Sequence, residues 1–243
     1  MFAASSGTSA ASEGLSARLQ AVRDRIARAC QRAGRPVSSV RLVAVTKLVP
    51  VELIREALQF GVTEVGENRV QEALDKRRQL AGAAARWHLI GHLQRNKARP
   101  AAELFDVVHS IDTSALAGEL DRRAQDAGRR IEVFIQVNVS GEASKHGCRP
   151  EKVPELAEAV VGCGALALKG LMTIPPLEED PEQARPHFRR LRELRDALAG
   201  RTARQPLELS MGMSHDVEVA VEEGADLVRI GTAIFGPRQE ARP

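Results

Sequence analysis

The sequence predicts an α/β fold: a single (β/α)8 barrel of the TIM type with an extra N-terminal helix and no second domain. Three observations lead there. Eight short apolar or β-branched runs alternate with amphipathic helical stretches. Strands separated by helices pair in parallel and are buried on both faces, so they read as near-continuous apolar runs. No linker and no second block of clustered strands interrupts the alternation, and 243 residues is close to the roughly 250 that eight such units occupy. An open doubly wound sheet is the structural alternative.

Taken in order, residues 1–14 (MFAASSGTSAASEG) carry neither a basic flank nor a long apolar run, and read as a disordered tail rather than a secretory signal. From Leu15, the positions Leu19, Val22 and Ile26 recur at helical spacing until Gly34 and Pro36, which predicts an amphipathic helix before the first strand. Strands are expected at 42–46 (LVAVT), 63–66 (TEVG), 87–91 (WHLIG), 107–111 (VVHSI), 132–139 (EVFIQVNV), 168–174 (LKGLMTI), 207–211 (LELSM) and 226–230 (DLVRI). Between them Pro50 opens VELIREALQF, with Gly61 after it, and SALAGELDRRAQDA closes on Gly128. The segments 68–80, 151–162, 182–199 and 215–223 read as helices by the same signals. The longest irregular stretches, 138–150 and 173–181, follow the fifth and sixth strands and are expected as mobile binding loops. The barrel domain is placed at 15–243.

Composition narrows the function. With 43% hydrophobic and 28% charged residues, the chain is neither disordered nor fibrous. The 35 Lys and Arg are interspersed among 32 Asp and Glu, for a net charge of +3, so no nucleic-acid partner is expected. The basic clusters Lys76, Arg77, Arg78 and Arg189, Arg190, Arg192, Arg195 read as solvated helix faces. Charges interrupt every apolar segment before the roughly 18–20 residues of a membrane span, so no membrane is expected either. Cys30, Cys148 and Cys163 are too scattered for a disulfide framework or a CxxC site, which points to a reducing, cytoplasmic setting. There is no tyrosine, which excludes any mechanism needing a phenol as acid or base.

In such a barrel, residues just after each strand face the site. Lys47 leaves the first strand there, where partial desolvation lowers an amine's pKa toward Schiff-base formation; a solvated strand-end lysine is the plain alternative. After the seventh strand, LSMGMSHD sets Gly212 and Ser214 ahead of a helix, with Ser214 expected as its N-cap. After the eighth, RIGTAIFG supplies Gly231 and Thr232, where a small residue lets backbone N–H groups approach an anion. Phosphate commonly sits between these two loops. Arg229, two residues before Gly231, is expected to point into the barrel beside the ligand or to be paired structurally. GENRVQEA places Glu67 and Asn68 after the second strand, and WHLIGHLQRNK clusters His88, His92, Gln94, Asn96 and Lys97 around the third. His88 and His92 straddle a strand and its loop rather than one helical face, so no metal pair is expected from them.

The pieces AVTK (44–47), GENRVQEA (66–73), WHLIGHLQRNK (87–97), GLMTI (170–174), LSMGMSHD (209–216) and RIGTAIFG (229–236) resemble, in order and spacing, the pyridoxal phosphate homeostasis proteins. The resemblance runs from the first helix to the C-terminus. It implies a barrel like the N-terminal domain of alanine racemase, with pyridoxal 5′-phosphate (PLP) linked to Lys47 and Asn68 near its ring. It further implies Ser214, Gly231 and Thr232 at the phosphate and Arg229 at the pyridine nitrogen. Members usually read Lys-x-Lys-Pro after the first strand, where this chain has Lys47-Leu48-Val49-Pro50. Arg69 and Arg95 replace an aromatic and a small polar residue that are common there.

The expected function is PLP binding in intracellular vitamin B6 homeostasis, with possible delivery to apo-enzymes and no catalytic turnover, by a monomer. The racemase mechanism pairs the cofactor lysine with a tyrosine from a second domain, and this chain has neither. A cationic Arg229 at the ring nitrogen also weakens the ring as an electron sink. The alternatives are a weak PLP-dependent racemase or lyase using His88 or His92 as second base, and a Schiff-base aldolase acting on a sugar phosphate.

Overall fold

The computed structural model describes residues 6–142, 144–199 and 206–237. In chain order the elements are α1 (Ser6–Arg32), β1 (Arg41–Val45), α2 (Val51–Gln59), β2 (Glu64–Glu67), α3 (Val70–Gln79), β3 (Arg86–Leu89), α4 (Ala98–Leu104) and β4 (Val107–Ile111). They continue with α5 (Ser114–Asp126), β5 (Ile131–Gln136), α6 (Val153–Val161), β6 (Leu166–Met172), α7 (Arg185–Ala199), β7 (Glu208–Ser210), α8 (Val217–Glu222), β8 (Leu227–Ile230) and α9 (Thr232–Phe235). The eight strands pair in parallel in sequence order and close, β8 against β1, with Val43 opposite Arg229. The barrel is the expected one, and each strand lies within a few residues of its predicted span.

Differences from the expected helices concern α1, α4 and the four-residue α9, which the sequence reading did not mark. The first helix begins at Ser6, which corrects the expected tail over 1–14 for residues 6–14; residues 1–5 lie outside the described residues. Residues 6–14 hold two alanines among serine, threonine and glycine, which are weak helix formers, so nothing in their sequence marked them as helical. α4 was not predicted, because Pro100 breaks the reading of ARPAAEL. In the first turn of a helix, however, a backbone N–H would have no intrahelical partner, so proline's lack of one costs nothing.

The core has two layers. Val43, Val107, Phe134, Met172 and Leu227 fill the barrel interior. A larger shell, including Leu19, Ile54, Leu89, Leu120 and Phe188, lies between sheet and helices. The four-residue α9 is too short to cover the seam between β8 and β1. α1 packs there instead, against α8, α9 and α2. Arg25 forks onto Glu218 at 2.6 and 2.7 Å, and Arg18 donates to the Ile234 carbonyl at 2.7 Å.

Candidate functional site

Lys47, Asn68, Ser214, Arg229, Gly231 and Thr232 lie at or just beyond the C-terminal ends of β7, β8, β1 and β2, which are contiguous around the closed barrel. The structure therefore gathers all the sequence-predicted binding residues on one arc of the mouth. Alternation from Val43 through Val45 puts Lys47 on the inward side.

The lysine is presented by a tight turn. The Val49 N–H donates to the Thr46 carbonyl at 3.0 Å, and Leu48 adopts a φ of 58°. A non-glycine residue in the left-handed region persists only where its surroundings hold it. Here the Leu48 N–H donates to Glu72 at 2.5 Å. Behind the turn, Lys76 donates to the Thr46 carbonyl at 2.5 Å, to Glu67 at 2.8 Å and to Glu72 at 2.6 Å, while the Thr46 hydroxyl donates to Glu67 at 2.6 Å. Burial lifts the Glu67 carboxyl above the usual carboxylate range, against the pull of Lys76. Lys76 is only 7% exposed, which corrects its reading as part of a solvated face: its charge belongs to the frame under Lys47.

On the other side of the arc, Ser214 does not cap α8. Asp216 precedes the helix and accepts the Met213 N–H at 2.6 Å. The Ser214 hydroxyl instead accepts the Ala233 N–H at 3.3 Å, tying the loop after β7 to the first turn after β8. Arg25 of α1 donates to the Ser214 carbonyl at 2.9 Å and fixes the loop from outside. A hydroxyl, main-chain N–H groups and a glycine brought together this way suit a phosphate-sized anion.

Arg229 is 3% exposed, and it points inward as expected. It donates to the Ser210 hydroxyl at 2.6 Å and to the Thr173 carbonyl at 2.8 Å. Burial pushes its pKa down to about 10, opposed by Asp216, so it keeps its charge at neutral pH. A buried polar column continues from it: Ser210 to His109 at 2.8 Å, His109 to His88 at 2.8 Å, and His88 to Glu64 at 3.1 Å. Glu64 lies 3.6 Å from Arg41, which reaches Glu208 at 2.5 Å. The guanidinium only donates, so the Ser210 hydroxyl must spend its proton on His109 Nδ1. His109 Nε2 then donates to His88 Nδ1, which leaves the hydrogen of His88 on Nε2, 3.1 Å from Glu64 but too poorly aligned for a hydrogen bond, with both imidazoles neutral. Burial holds both histidines below the ordinary value, His109 well below it.

Sequence reasoning missed this column and the Lys76 frame. The available signal was a polar residue inside an apolar run: His109 in VVHSI, Ser210 in LELSM and His88 in WHLIG. The structure separates His88, fully buried in the barrel, from His92, whose side chain is 35% exposed at the rim. His88 is thereby removed as a second base at the mouth.

Fold and site define the class: a parallel barrel with Lys47 and the loops after β7 and β8 on adjoining strand ends, matched over residues 17–239 by the family model for the alanine racemase N-terminal domain. The pyridoxal phosphate homeostasis protein of Aquifex aeolicus (strain VF5) is 47% identical over 222 residues, 91% of this chain and 97% of the relative. That of Escherichia coli (strain K12) is 41% identical over 229 residues, 92% of this chain and 97% of the relative. The solved structure of PipY from Synechococcus elongatus PCC7942 with PLP bound matches at a TM-score of 0.79 and 37% identity, over 91% of this chain and 100% of that one. The chain belongs to the pyridoxal phosphate homeostasis protein family.

Proposed function

We propose that this protein binds PLP, holds it as a Schiff base on Lys47, and serves intracellular vitamin B6 homeostasis as a monomeric cytoplasmic carrier that passes PLP to apo-enzymes without turnover of its own. The observation that carries the reading is the contiguous arc: an inward lysine after β1 adjoins the anion cup after β7 and β8. When bound, the cofactor supplies an aldehyde for an amine and a phosphate for the cup. Ser214, Gly231 and Thr232 would hold the phosphate, Asn68 would lie beside the ring, and Arg229 would face the ring nitrogen. Because Arg229 stays a charged donor, it disfavours a proton on that nitrogen and weakens carbanion chemistry. The chain has no tyrosine to act as a second base, and His88 is walled into the barrel. Among the described residues, no helix is long and apolar enough to cross a membrane.

The test is an absorption spectrum of purified wild type and Lys47→Ala, followed by borohydride reduction and peptide mass mapping. A yellow wild type labelled at Lys47, a colourless variant and no amino-acid turnover support the reading. A protein that stays colourless and unlabelled with added PLP overturns the binding site. Robust turnover abolished in Lys47→Ala overturns the carrier role.

A further inference from the structure

On the opposite arc of the mouth, three side chains from three successive strand ends converge. His92 follows β3, Asp112 follows β4 directly, and His146 lies in the loop after β5. One ligand atom from each lies within 4.8 Å of the other two. His92 Nδ1 is 3.7 Å from Asp112 Oδ2, and the two imidazoles stack at 4.1 Å with their planes 8° apart.

The loops that carry these groups are themselves built. Asn138 organises the third: its side-chain amide donates to the Glu142 carbonyl at 2.8 Å and to the Lys145 carbonyl at 3.3 Å, and its Oδ1 accepts the Gly141 N–H at 3.0 Å. Beside His146, Gly147 has a φ of 119°, and a Cβ there would come within 2.7 Å of the Asn138 nitrogen. The loop thus folds back onto the end of β5 and is held over Asp112 and His92. His92 in turn follows Gly91, whose Cβ position would fall on the Asn68 carbonyl oxygen. The backbone under His92 and beside His146 is therefore fixed, while the two exposed imidazoles can turn.

We propose that His92, Asp112 and His146 bind one divalent transition-metal ion of the zinc type, clamping the loops after β3, β4 and β5 at the barrel rim. Two imidazole nitrogens and one carboxylate oxygen favour zinc and its neighbours over magnesium or calcium, which take oxygen ligands. In tetrahedral zinc, ligand atoms bonded at about 2.0–2.1 Å stand about 3.4 Å apart, and each imidazole plane must pass through the ion, so the two rings have to swing out of their parallel stack, which their exposed positions leave room for. Three protein ligands leave a coordination position open to water or solute. His88 has no part in this site.

The test is calorimetric titration of ZnCl2 into the full chain after EDTA treatment and dialysis, with His92→Ala, Asp112→Asn, His146→Ala and Cys148→Ser alongside and circular dichroism as the fold control. The expected result is one equivalent per chain, weakened about 100-fold or more by each of the first three changes. That exceeds the roughly 10–100-fold that loss of an outer-shell partner costs. Cys148→Ser should leave it within about threefold, since Cys148 is buried outside the cluster. His146 lies on an exposed loop, so its variant stays folded and keeps the test decisive. Absent saturable binding, binding unchanged in the three variants, or binding lost only in Cys148→Ser each overturns the proposal. The titration needs nothing bound at Lys47, so its failure leaves the reading of that lysine standing.

Discussion

Single residues inside the barrel set its response to pH. His109 and His88 are held neutral by burial, with pKa values below the ordinary histidine value of about 6.5. As pH falls through that value the unfolded chain takes up protons that the folded chain refuses. The stability present above pH ~6.5 is therefore lost progressively below it, by up to about 1.4 kcal/mol per pH unit for each histidine. His109→Asn should roughly halve that extra slope in urea unfolding between pH 6.5 and 5.5. It should also lose about 1–3 kcal/mol at pH 7.5, because Ser210 and His88 each lose a buried partner. Parallel pH slopes for wild type and variant would show that His109 is not held neutral. None of this was legible beforehand: one histidine in an apolar run looks the same whether it faces the barrel or the helices. Lys76 was misread for a related reason. DKRRQ is charged throughout, and the sequence does not show which of its cations turns inward to Glu67 and Thr46.

At the scale of elements the sequence was far more informative. Strands buried on both faces read as apolar runs whatever their neighbours, and all eight formed where those runs lie. The loops carried less. Ser214 before a helix looks like an N-cap, yet its hydroxyl turns to Ala233 across the mouth, a contact between segments whose proximity only barrel closure creates. Some contacts between loops are also very close. Gly91 presses on the loop that bears Asn68, with its Cβ position within 2.8 Å of the Asn68 Cα. Gly91→Ala should cost about 1–3 kcal/mol in urea unfolding and weaken PLP retention, as backbone is forced apart. Gly118→Ala is the matched control. Gly118 lies in α5 with nothing within 4 Å of its Cβ position, so the change should stabilise by about 0.5–1 kcal/mol. Equal stability changes in the two variants would show that the contact at Gly91 is relaxed.

For the whole molecule, the informative feature is the seam. α1 takes the place of a closing helix after β8 and reaches the anion cup through Arg25 and the Ser214 carbonyl. The Arg25–Glu218 pair is partly exposed, so Arg25→Ala should cost only about 1 kcal/mol of stability. Its larger effect should be several-fold weaker binding in a PLP titration, because the loop after β7 loses its outer anchor. Unchanged affinity would confine α1 to a packing role. The same arrangement joins the first helix of the described chain to its last two, α8 and α9, the longest sequence separation the fold contains. Contacts so distant along the chain form late. During synthesis the proposed phosphate site would therefore stay incomplete while seven strands emerge, until β8 and the turn after it are made. On the proposed reading, PLP would thus be taken up by finished molecules and not by nascent ones.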